Sequence, residues 1–482
     1  MTTLASTKWI GRASAMLRLN AAQGDAAAVA APEAPAPARS LRERLGATLG
    51  RGHEGLSPRM LRRTLADLQG VVDPSVSEVE GSRRAHALAQ WYAQATPAQR
   101  RDCWLLMSER FVPDAATVRE ARQAYERAAG TSDEAHAEIA LRRAMASPRA
   151  RLLQRFAAAP EGMRFLVELR AALLPELKKQ PRLAPLDAEL EQLFSTWFDV
   201  GFLELQRISW DSPASLIEKL IRYEAVHDIR SWSDVKNRLD SDRRCYGFFH
   251  PRLPGEPLIF VEVALTSGLS EAIAPLLDEA AALHDPQRAT TAIFYSISNT
   301  QSGLRGVSFG DSLIKRVVET LQAEFPKLRG FATLSPIPGL RDWVKKHASA
   351  LLGQLDAKRN AELTRVLGEP PDVQRVLHAL EQAHALEARS PLRALLLAWV
   401  AQYLGRELRD GKPVDAVARF HLGNGARIEQ LNWAGDVSPK GLRQSFGLMV
   451  NYQYDLRRLD RHRALLAQGK IPVSKAVEEL YF

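Results

Sequence analysis

From Leu41 to about Phe198 apolar residues recur every three or four positions, as in "SPRMLRRTLADLQG", "SEVEGSRRAHALAQWYAQAT" and "EGMRFLVELRAALLPELKKQ". That spacing places them on one stripe of a helix, so this half of the chain predicts an all-α domain. Ser57 followed by Pro58 reads as an N-cap and first-turn residue, with the helix closing at Gly70. No fixed repeat length runs through the segment, which argues against a solenoid. Near Phe202 the pattern changes. "WDSPASLIEKLIRYEAVHDI" is one more helix, capped by Asp211 or Ser212 with Pro213 inside its start. Beyond it "PLIFVEVALTS", "TAIFYSIS", "GFATLSP" and "ARFHLGNGARIEQLNW" read as strands, alternating with helices at 311–325, 373–387 and around 390–405. The fold class that follows is α+β: an all-α domain over 41–198, then an α/β domain over 199–482. Residues 1–40, with "AAQGDAAAVAAPEAPAPARS", are Ala/Pro low-complexity sequence with nothing to bury and read as a disordered tail. The first 24 residues hold Lys8, Arg12 and Arg18 and no acid, a composition shared by transit peptides and simple extensions.

Composition narrows the function classes. A chain of 482 residues needs more than one core, and its 46% hydrophobic and 25% charged content is that of a globular protein. No apolar run approaches the roughly 20 residues of a membrane span. Cys103 and Cys245 are the two cysteines, without a CxxC pair, which excludes a disulfide framework and a cysteine-rich zinc site and fits a reducing, cytoplasmic setting. The formal charge of +9 is spread over helix faces that also carry acids, with no basic run interleaved with aromatics, so nucleic acid is not the expected partner. A small polyanion is compatible with it.

The stretch most suggestive of chemistry is "TAIFYSISNTQSGLRGVSFGDSLIKRVVETLQAEFPKLRGFATLSPIPGL", residues 291–340. A buried strand leads into Gly303, Gly306 and Gly310; a helix from about Asp311 follows, with Leu313, Ile314, Val317, Val318, Leu321 and Phe325 on one face and Pro326 at its end. Glycines permit tight turns and close approach, and the unpaired N–H groups of a helix start attract anions. Strand, glycine loop and helix therefore read as a phosphate cradle. Its spacing is neither the dinucleotide fingerprint nor a P-loop. Ser335 follows at the end of the next strand, held between rigid residues by Pro336 and Pro338. A turn serine and a packed core histidine at 421 are the plain alternatives for the two side chains considered below.

Taken together, "YSISNTQSGLRGVSFGDSLIKRVV", "LSPIPG", "FHLGNGA", "LNWAGDVS" and "GLMVNYQY" resemble the malonyl-CoA decarboxylase family, as do "WDSPASLIEKLIRYEAVH" and "DRRCYGFFHP". The resemblance runs in order from about residue 55 to 455. It implies an N-terminal helical domain and a catalytic domain of the GCN5-related acetyltransferase fold, with malonyl-CoA as substrate. The helical half, extensive and without a catalytic constellation, is expected to be an assembly domain that makes the chain a homo-oligomer (dimer or tetramer). The resemblance also implies that Arg305, Gly306, Val307, Ser308, Phe309, Gly310 and Asp311 form the acyl-CoA loop. Ser335 is implied as a proton acceptor that orients the malonyl carboxylate, His421 as proton donor, and Tyr454 as a residue near the acyl group. Ser308 stands where the resemblance implies an acidic residue. The thioester carbonyl is an electron sink, so neither a metal nor an organic cofactor is expected, and no HExxH, clustered Cys/His set or biotinylation-type lysine motif is present. A CoA-dependent N-acetyltransferase and a non-catalytic acyl-CoA-sensing adaptor remain the competing readings.

Overall fold

The computed structural model describes residues 40–46, 55–307 and 313–481. Up to Trp197 the described chain is built of α-helices and short 3-10 turns. The helix Pro58–Val72 begins as expected, with Ser57 accepting the Met60 N–H, but continues past Gly70. Leu61, Leu106, Leu153 and Leu166 are fully buried in the core of this half. A mixed-sheet region follows, as the α+β expectation requires. The helix expected to start with Asp211 or Ser212 as cap instead begins at Ala214 with Pro213 in the cap position. Ser212 Oγ is turned back to accept the Ser209 N–H.

Ten strands follow in chain order: β1 (Glu204–Ile208), β2 (Arg243–Phe249), β3 (Pro257–Thr266), β4 (Thr291–Asn299), β5 (Gly330–Thr333), β6 (Ser335–Pro336), β7 (Leu408–Arg409), β8 (Lys412–Pro413), β9 (Arg427–Asn432) and β10 (Met449–Gln453). The main sheet runs β1-β2-β3-β4-β5-β10-β6, with β9 on β10, while β7 and β8 form a separate pair. Among these pairings only β4–β5 is parallel. A parallel pair needs a crossover. Here it is the helix Leu313–Glu324, whose Leu313, Ile314, Val317, Val318 and Leu321 are all buried. The strand, helix and strand read from residues 291–340 are therefore present, with the helix as the crossover. β2 escaped the sequence reading because it opens with Arg243 and Arg244. Both are buried, Arg243 against Asp242 and Arg244 against Glu324.

One predicted strand is a helix over its first part. The first six residues of "ARFHLGNGARIEQLNW" belong to the helix Ala416–Gly423, and strand structure is confined to Arg427–Asn432. Asp415 accepts the Val417 and Ala418 N–H groups and starts the helix. Ala418, His421 and Leu422 then face inward at helical spacing, and Gly425, at φ +85°, makes the turn into β9.

The glycine loop rests against the helical half. A Cβ on Gly303 would lie 2.0 Å from the Val167 carbonyl oxygen on the helix Gly162–Leu173. Gly303 is thus required for packing between the two halves, where the sequence suggested approach to a ligand. Arg316, on the crossover helix, holds the segment that joins the two halves by donating to the Val200 and Leu203 carbonyls at 2.6 and 2.7 Å. Gly303→Ala should cost about 1–3 kcal/mol, because backbone must move to admit the methyl group. Thermal denaturation checks this, and an unchanged midpoint would show that the contact yields freely.

Candidate active site

β4 and β5 stay paired only as far as Phe294 and Thr333. Leu334 N–H makes one last bond to the Phe294 carbonyl at 2.9 Å, after which Ser335 and Pro336 turn away to pair with Val450 and Met449 on β10. β4 continues to Asn299 on β3 alone. The parting leaves a cavity of about 520 Å³ whose walls include Tyr295, Ile297 and Asn299 on one side and Ser335 and Pro336 on the other. Val307 and Leu313, from the two described ends of the glycine loop, also line it.

His421 reaches the same cavity from the last turn of the Ala416–Gly423 helix, not from a strand end as the sequence suggested. Its Nε2 is 3.3 Å from Ser335 Oγ, and its Nδ1 is 2.7 Å from the Tyr454 hydroxyl. Ser335 Oγ donates in turn to Thr333 Oγ1 at 2.8 Å, and Thr333 Oγ1 also accepts the Tyr452 N–H. The imidazole stacks on Tyr452, with centroids 4.7 Å apart. Tyr454 does not line the cavity; it stands behind the imidazole.

Burial sets the charge state of this array. It lowers the His421 pKa from 6.5 to about 3 and raises that of the Tyr454 phenol. At neutral pH the imidazole is uncharged and the phenol keeps its proton. With the phenol donating to Nδ1 and the serine proton directed at Thr333, the imidazole proton sits on Nε2 and points at Ser335 Oγ.

Asp415 aligns the two reactive elements. Besides capping the His421 helix it accepts from the Tyr403 hydroxyl at 3.2 Å and lies beside Gly339, at the end of "LSPIPG", where a Cβ would stand 3.6 Å from Asp415 Oδ2. Desolvation raises its pKa, opposed by these hydrogen bonds. Sequence reasoning missed Asp415 and Thr333, although an Asp two residues before Val417 is a recognisable cap signal.

Of the expected loop residues, Val307 lines the cavity, while Arg305 and Gly306 are exposed beside the helical half. Gly306 adopts φ +82°, the left-handed region open to glycine at little cost. Ser308, Phe309, Gly310 and Asp311 lie outside the described residues.

Comparison with known proteins agrees with this geometry. Residues 201–481 match the family model for the malonyl-CoA decarboxylase C-terminal domain, and residues 111–198 match that for the N-terminal domain. The mitochondrial malonyl-CoA decarboxylase of Anser anser anser is 39% identical over 325 residues, which are 64% of this chain and 64% of that protein. The Rattus norvegicus protein of the same name is 40% identical over 316 residues, spanning 63% of its length. The crystal structure of malonyl-CoA decarboxylase from Cupriavidus metallidurans is 46% identical and superposes with a TM-score of 0.73, covering 88% of this chain and 100% of that one. That from Rhodopseudomonas palustris is 42% identical with a TM-score of 0.74, covering 87% of this chain and 99% of its own. With the C-terminal family model matching more than half of its length, this chain belongs to the malonyl-CoA decarboxylase family.

Proposed function

We propose that the chain converts malonyl-CoA to acetyl-CoA and CO2 without a metal or organic cofactor. The observation that carries this reading is the Ser335–His421–Tyr454 array set where the sheet parts, in a chain of this family. The edge of β4 left unpaired beyond Phe294 offers backbone donors and acceptors to the amides of a pantetheine arm, and the Gly306 N–H is available to a phosphate. The bond between the α-carbon and the malonyl carboxylate breaks, CO2 departs, and the electron pair enters the thioester as an enolate. His421, the proton donor, protonates the α-carbon from Nε2 as Ser335 Oγ, its acceptor at 3.3 Å, orients the malonyl carboxylate, and Tyr454 supplies Nδ1. Solvent then replaces the proton consumed. A carbanion next to a thioester is far more basic than a phenolate, so the raised phenol pKa does not prevent this transfer.

Self-association through the helical domain is part of the proposal. The helices Ala115–Ala128 and Glu134–Met145 contain no buried residue, and Val112, Ile139 and Met145 are about half exposed. Cys103 and Cys245 are buried free thiols, in keeping with a reducing cytoplasm. Among the described residues no helix is long and apolar enough to cross a membrane.

Incubation with malonyl-CoA should release CO2 and acetyl-CoA in equal amounts; acetyl transfer from acetyl-CoA to an amine, without decarboxylation, would overturn the reading. Ser335→Ala and His421→Asn should each lower kcat by about 10²–10⁴-fold while CoA affinity stays near normal. The double variant should be hardly worse than the poorer single one, because the two side chains serve one proton path. Near-normal turnover by a folded His421→Asn protein would remove histidine from the mechanism.

Acidification tests the buried imidazole. In the unfolded chain this histidine titrates near 6.5 and in the folded one near 3. The stability it contributes is therefore complete above pH 6.5 and is lost as pH falls toward 3, at up to about 1.4 kcal/mol per pH unit. His421→Gln should lose less stability than wild type between pH 6.5 and 4.5 in denaturant titrations. kcat should show no ionisation near 6.5 arising from this residue.

Sedimentation of the full-length protein should give a species larger than one chain. A monomer at working concentration would contradict the assembly role.

A further inference from the structure

Arg170 lies on the helix Gly162–Leu173 of the helical half, yet its side chain ends in the catalytic half. The side chain is only 1% exposed. Nε donates to Asp187 at 2.8 Å and Nη2 to Glu191 at 3.0 Å. Nη1 donates to two loop carbonyls, Gly303 at 2.9 Å and Arg305 at 2.8 Å. The two carboxylates orient the guanidinium, and the guanidinium orients the loop. From these contacts we infer that Arg170 is a positioning residue for acyl-CoA phosphate recognition, supplied by the helical domain; the inference rests on the acyl-CoA reading of this site.

Backbone stereochemistry explains the effect. A trans peptide is planar, with N–H and C=O opposed. Fixing the Arg305 carbonyl on Arg170 therefore turns the Gly306 N–H away from the helical half, toward the other side of the loop. The neighbouring Leu304 N–H is already taken by the Gln301 carbonyl at 2.9 Å, whereas among the described residues no acceptor takes the Gly306 N–H. It remains available to an anion. Gly306, at φ +82°, could accommodate either orientation of that peptide, so the glycine itself does not choose. Arg170 makes the choice. Its planar, forked head satisfies two carboxylates and two carbonyls together, which a lysine ammonium cannot reproduce. The role differs from that of Arg149, a second buried arginine of the helical half, which bonds the carbonyls of Met107, Ser108 and Pro185 and supports that half internally.

The test compares Arg170→Lys with Arg149→Lys on two substrates, malonyl-CoA and malonyl-pantetheine, which lacks the nucleotide and its diphosphate. Arg170→Lys should raise KM for malonyl-CoA about tenfold, leave kcat within about twofold, and leave kcat/KM for malonyl-pantetheine at the wild-type value. Arg149→Lys should lower the melting midpoint without separating the two substrates. Should Arg170→Lys fail to fold, Glu191→Gln removes one orienting carboxylate at a half-exposed position and should raise KM for malonyl-CoA about threefold, again sparing malonyl-pantetheine. A wild-type KM for malonyl-CoA in the folded variant, or equal losses on both substrates, overturns the inference. If wild type decarboxylates neither thioester, the activity reading fails by itself. Calorimetric CoA affinities of wild type and Arg170→Lys then decide the positioning role, with equal affinities, or no CoA binding by wild type, counting against it.

Discussion

The separation of β4 from β5 after Phe294 and Thr333 is the constraint from which the candidate site follows. Because these strands are parallel, a helix must cross between them, and its start necessarily lies near the carboxyl end of β4. Because they part, β4 keeps an unpaired edge and the chain beyond β5 must find another partner. β10 provides it by bonding Ser335 through Val450, which places Tyr452 and Tyr454 behind the histidine that faces that serine. Pocket, loop and proton-handling side chains are thus consequences of one topological choice.

The helical half has a comparable dependence on a few atoms. Gly303 lets two backbones approach, Arg316 ties the crossover helix to the inter-domain segment, and Arg170 reaches across to the loop. None of these contacts is at the reacting end of the cavity. A domain that holds no acid, base or nucleophile of the array still contacts the loop beside the cavity, so the boundary between the two halves is less sharp in three dimensions than along the chain.

What the sequence revealed depended on how local the physics was. Leu313, Ile314, Val317 and Val318 announced their helix because 3.6-residue periodicity is local. Ser335 stood out because Pro336 and Pro338 restrict its neighbours. The element carrying His421 was misread because alternating polar and apolar residues from Ala418 suggested a strand, whereas Asp415 had already committed the backbone to a helix. β2 was hidden by two buried arginines, one paired with the adjacent Asp242 and the other with Glu324, 80 residues on. Arg170 was not legible at all: its loop acceptors lie 133 and 135 residues away, and backbone carbonyls carry no sequence signature. Gly303 was noticed for the wrong reason, since a glycine facing a ligand and one facing another helix look alike in sequence.

The isolation of His421 from charge has a consequence for the conditions under which the site can operate. Its pKa is displaced by desolvation alone, with no ion pair contributing. Mobile ions weaken Coulombic attraction between exposed groups over a Debye length of about 10 Å at 0.1 M, but they do not enter a packed, uncharged interior. The protonation state of the array is therefore set by exclusion of water and is insensitive to ionic strength, whereas the proposed capture of a polyanion at the exposed loop would weaken as salt rises. On that proposal salt would act on arrival at the site and leave the proton inventory within it unchanged.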